Sequence, residues 1–96
     1  MATELLGKKV VGQKTTVEDT ATAIPGTATT GRQAVLIQNL GPEVVWIGAS
    51  NVTAGDGGTG YKLVVGGELP LDAADACAIY GITESGSSTV KTLEGV

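Results

Sequence analysis

Gln33-Ala-Val-Leu-Ile-Gln-Asn-Leu-Gly-Pro-Glu-Val-Val-Trp-Ile-Gly48 is the stretch on which the fold turns. Ala34 to Gln38 and Val44 to Ile47 are runs rich in branched apolar residues, suited to the pleated surface of a sheet. Between them, Gly41 is free to take a positive φ, while Pro42 fixes its own φ and has no N–H to give a ladder. A helix through Pro42 would lose a backbone bond and clash. Two strands joined by a tight turn, a β-hairpin, are therefore predicted.

The flanking sequence carries the same punctuation. Upstream, Thr15–Glu18 and Ala21–Ile24 read as short strands with Asp19-Thr20 as a turn. Pro25-Gly26 suits the centre of a type II turn. Downstream, Val52 is placed to anchor a short strand, and Gly55–Gly60 reads as a flexible, exposed loop. Tyr61–Val65 resumes as a strand, and Gly66-Gly67 turns the chain. Glu68–Asp72 is an edge segment because Pro70 cannot donate to a ladder. Ala73–Cys77 is long enough for one helical turn at most. Ala78–Ile82 and Ser88–Glu94 complete the strands, the latter with Val90 and Thr92 opposed to Lys91 and Leu93. Six to eight short strands at spacings of roughly 8–12 residues predict an all-β antiparallel sandwich or jelly roll, with the hairpin at its centre.

Residues 1–13 have no clean period and are separated as an N-terminal arm, leaving 14–96 as the sandwich domain. Leu5, Leu6, Val10 and Val11 are the arm's apolar pairs. They read either as part of a frayed terminus or as anchors that order against a neighbouring molecule.

Composition narrows the function. Aromatic residues are 3% of the chain and Phe is absent, so the core is expected to be built from Val, Leu, Ile and Ala, with Trp46, Tyr61 and Tyr80 as its few large pieces. Small side chains bury little area each, at roughly 25 cal/mol per Å². A chain of 96 residues with such a core is expected to gain stability by self-association. The net charge of −4 and the lack of any Lys/Arg run disfavour nucleic acid and anionic membrane surfaces as partners. No apolar run approaches the roughly 20 residues of a membrane span, and no secretory h-region opens the chain. Assembly in a reducing cytoplasm is the expectation.

Motifs for chemistry are missing. There is no histidine and one cysteine, Cys77, which excludes an intramolecular disulfide and Cys/His zinc sites. Without a base to activate it, Cys77 reads as a small buried thiol. The glycine loop lacks the Gly-Lys-Ser/Thr and following helix of a phosphate cradle. Asp56, Asp72 and Asp75 lack calcium-loop spacing. Asn51-Val52-Thr53 is a glycosylation sequon with no leader to expose it to the modifying enzymes. No enzyme, cofactor or metal is expected. Trp46 admits two readings: a stacking platform for a sugar or base, or a core or inter-subunit anchor, which its Val45 and Ile47 neighbours favour.

The ordered set Ala34–Gly48 with its "Asn-Leu-Gly", then Asn51-Val-Thr-Ala, Gly66-Gly-Glu-Leu, Ile79-Tyr-Gly-Ile and Val90-Lys-Thr-Leu-Glu94 resembles small virion proteins of tailed bacteriophages. The resemblance spans about Gly31 to Glu94. It implies a compact β-module, commonly a trimer, that decorates or cements the capsid by binding the major capsid protein. The alternative is a carbohydrate-binding module of a head or tail fibre. Under the first reading Leu5, Leu6, Val10, Val11 and Trp46 are the capsid or subunit contacts, and the protein resides in the virion.

Overall fold

The structure is a computed structural model that describes residues 9–96. Eight strands occupy these residues: β1 Val10–Val17, β2 Thr22–Ala23, β3 Ala34–Gly41, β4 Val45–Gly48, β5 Tyr61–Leu63, β6 Glu68–Leu71, β7 Tyr80–Ile82 and β8 Ser88–Gly95. They form two four-stranded antiparallel sheets in the orders β1-β8-β3-β6 and β2-β7-β4-β5. First strand thus pairs with last, second with seventh, third with sixth and fourth with fifth. That nested pairing is the jelly-roll form of the β-sandwich.

The expected hairpin is corrected by this topology. Both strands exist, but β3 lies in one sheet and β4 in the other, so Asn39–Glu43 is an arch between sheets. The turn chemistry is real: Gly41 has φ +95° and the Gly41–Pro42 bond is cis. What that chemistry serves is a change of sheet. Asn39 is fully buried under the arch, where its Nδ2 donates to Glu43 O (2.8 Å) and to Leu63 O (2.9 Å). Its Oδ1 accepts from Gly41 N (2.9 Å) and Ser88 Oγ (2.8 Å). One side chain therefore satisfies the backbone groups that an arch takes away from both ladders. Both strands then find longer-range partners, β3 against β8 and β6, β4 against β7 and β5.

The core follows from period-two alternation. In the first sheet, Val17, Val35, Ile37 and Val90 point inward, with Leu69 and Leu71 packed beside them. In the second, Val45, Ile47 and Leu63 face them, and Ile24, Ala73 and Ile79 close the ends. Gly81 sits between the sheets because a Cβ there would lie 2.5 Å from Ile24 Cδ1 and 3.0 Å from Val45 Cγ1. Three further expectations change. Val10 to Gln13 are paired strand residues of β1 rather than arm, Val10 opposite Gly95 and Gln13 opposite Thr92. Gly26 lacks the positive φ of a type II turn, and the Ile24–Pro25 bond before it is cis. Val52 is buried in the loop that follows β4 without forming a strand.

Candidate functional site

The most highly organised polar site is centred on Glu94, which alternation places on the inward face of β8 beside Val90 and Thr92. Its carboxylate is fully buried. Oε1 accepts from Gln13 Nε2 (3.0 Å) and Thr29 Oγ1 (2.7 Å). Oε2 accepts from Thr29 N (3.1 Å) and Arg32 Nη1 (3.2 Å). Burial raises the carboxyl's pKa and is the largest single influence. The bonds from the Thr29 hydroxyl and N–H, Arg32 and Gln13 together outweigh it, so Glu94 titrates below its ordinary value.

Arg32, the single arginine, is equally enclosed. Nε donates to Ala73 O (2.9 Å), and Nη2 donates to both Ala74 O and Cys77 O (2.8 Å each). The pair thus joins β1, β8, the segment between β2 and β3, and the turn before β7. The planar fork of the guanidinium suits it to collect several carbonyls at once. Nearly all of its donors are spent on the fold, as are all the strong acceptor directions of Glu94. The sequence reading missed this network. The inward parity of Glu94 was its one visible signal, since a carboxylate on a buried face demands a partner.

Trp46 lies on the outer face of β4, in a row with Lys62 and Ile82 and opposed to the core residues Val45 and Ile47. It is nevertheless only 4% exposed. The loop after β4 folds over it. Gly60 approaches so closely that a Cβ there would stand 2.5 Å from Trp46 Cβ, and Lys62 Nζ lies 5.6 Å from the ring centroid. Gly55–Gly60 is accordingly no free loop. Gly58 N donates to Gly55 O, Gly60 N to Thr53 O and Thr59 N to Thr53 Oγ1. Among the described residues the ring is left no open face on which a sugar or base would stack, and its buried Nε1 has no partner.

The remaining candidates stay apart. Val10 and Val11 lie on the edge strand of the first sheet, and Trp46 in the interior of the second. Leu5 and Leu6 fall outside the described residues. Cys77 is exposed, not buried, and it is its carbonyl that Arg32 holds. Asp56 meets Lys62 (3.6 Å) at the surface, and Asp75 accepts from Gly31 N. Among the described residues no group of three or more His, Cys, Asp or Glu is gathered as for a metal ion. Comparison with protein-family models, curated proteins and solved structures finds no match.

Proposed function

We infer that the protein is a non-enzymatic structural component of a tailed-bacteriophage virion. It decorates the outer capsid surface as an oligomer and stabilises the shell through the major capsid protein. The observation that carries this reading is the use to which four of the buried polar side chains are put. Arg32, Asn39, Ser88 and Glu94 all bind backbone or one another, fastening sheet to sheet and loop to strand. A module that spends its buried ion pair and its buried amide on fastening is suited to holding a surface. Jelly rolls also recur in viral capsid and lectin domains, which is an analogy of fold and not of site. The enclosure of Trp46 weighs against the carbohydrate-binding alternative.

The test is quantitative mass analysis of purified particles. Decoration predicts a copy number in simple ratio to the shell subunit, and particles that lose the protein open at lower temperature. Absence of the chain from particles would overturn the reading. Oligosaccharide binding that changes Trp46 fluorescence would transfer it to the fibre alternative.

A further inference from the structure

Among the described residues three of the four sheet edges are blunted, and one is not. In the second sheet the edge strands β2 and β5 have two and three residues. In the first, β6 carries Pro70 opposite Leu36, which removes an outward N–H from the middle of that edge. β1 is different. It runs for eight residues, Val-Val-Gly-Gln-Lys-Thr-Thr-Val, without proline, and its pairing with β8 shows no bulge. Among the described residues no strand lies on its other side.

The hydrogen-bond phase of that edge is determined. Val96 N donates to Lys9 O, so with Val10 opposite Gly95 the odd-numbered residues of β1 exchange bonds with β8. Val10, Gly12, Lys14 and Thr16 therefore point both N–H and C=O away from the sheet. Four donors and four acceptors stand in a row, a template for strand addition. The outer face beside this edge is a shallow hollow of about 530 Å³ lined by Leu36 and Leu93 together with Lys14, Gln38 and Lys91, so among the described residues the open edge adjoins two half-exposed leucines.

We propose that this edge pairs antiparallel with β1 of a second copy, joining two first sheets into one eight-stranded sheet across a two-fold axis. The pattern is self-complementary in one register. Centred on Gln13, Val10 lies opposite Thr16 of the second copy and Gly12 opposite Lys14, so all four outward residues on each strand find partners. A shift of the centre to Lys14 sets two lysines face to face, which is unfavourable. A shift to Gly12 leaves Thr16 beyond the paired strand. The inference stands apart from the virion reading, and it assigns a two-fold where the resemblance implies a trimer.

Sedimentation of the full chain under reducing conditions, which silence Cys77, reads the outcome. The monomer mass is 9.6 kDa, and a species of twice that mass is expected at micromolar concentration. Amides of Gly12, Lys14 and Thr16 should gain protection from hydrogen exchange as concentration rises. Those of Val11, Gln13 and Thr15 should be protected throughout. K14P removes only an outward N–H, so it should fold with unchanged circular dichroism and remain monomeric. G12K, which sets a lysine against Lys14 twice per dimer, should weaken association at least tenfold, and G12E should strengthen it. A Cβ at Gly12 is 3.9 Å from its nearest neighbour, so both variants fit. A monomer at high micromolar concentration, a three-copy mass, or equal association by G12K and G12E would each overturn the proposal. So would dimerisation that appears only when residues 1–8 are removed, since the edge would then be covered within the chain.

Discussion

Replacing Glu94 with leucine tests the centre of the fold. The carboxylate is fully buried and receives four hydrogen bonds from three residues. Leucine has a comparable volume, so the loss is electrostatic rather than a cavity. The Thr29 hydroxyl and the Gln13 amide are less committed, since Gln13 Nε2 also donates to Thr27 O. The Thr29 N–H and the Arg32 guanidinium are left facing hydrocarbon. Removing one partner of a buried ion pair costs roughly 3–5 kcal/mol. At about 4–8 °C per kcal/mol for a domain of this size, the melting temperature should fall by at least ~12 °C. Glu94→Gln keeps one acceptor oxygen and the shape, and should cost roughly 1–3 kcal/mol. The pH dependence separates charge from shape. Because the folded pKa of Glu94 lies below the ordinary 4.5, its contribution is present above that value and is lost as pH falls through the folded pKa. Urea unfolding at pH 7 and at pH 3 is the assay. The gap between wild type and Glu94→Gln should be wide at pH 7 and should close towards pH 3. A gap of equal size at both pH values would refute the argument that the charged form is what the network binds.

Asn39→Ala strips the arch of the side chain that bonds Glu43 O, Leu63 O and Gly41 N, and should destabilise by roughly 2–4 kcal/mol in urea titration. Gly60→Ala drives a methyl into Trp46 Cβ and Thr53 O; a red-shifted tryptophan emission should report the loop lifting from the ring. In the wild type, Trp46 emission should resist quenching by iodide, as 4% exposure requires. Cys77 should react with an aromatic disulfide reagent in the native state at close to the rate of the unfolded chain, because its thiol is exposed.

Strand character and most places where the chain turns were legible because each depends on residues close in sequence, whereas Tyr61, expected among the few large core residues, is exposed. Branched apolar runs, Gly41, the Gly66 turn and Pro70 on an edge all appear in the structure as the residues dictate. The alternation of Ser88 to Glu94 set Val90 and Thr92 on one side of β8, and the fold makes that side the buried one. Partnership was not legible. Period two assigns a residue to a face but says nothing of which strand lies alongside, and β1 meets β8 from the opposite end of the chain. The arch at Asn39–Glu43 has the composition of a hairpin turn; only the competing pairings of β3 and β4 decide that it crosses between sheets. Likewise the glycine loop becomes a cover for Trp46, and Arg32 the partner of Glu94, through contacts that form only when the two sheets close. Local chemistry determined the elements of this protein, and long-range packing determined their neighbours.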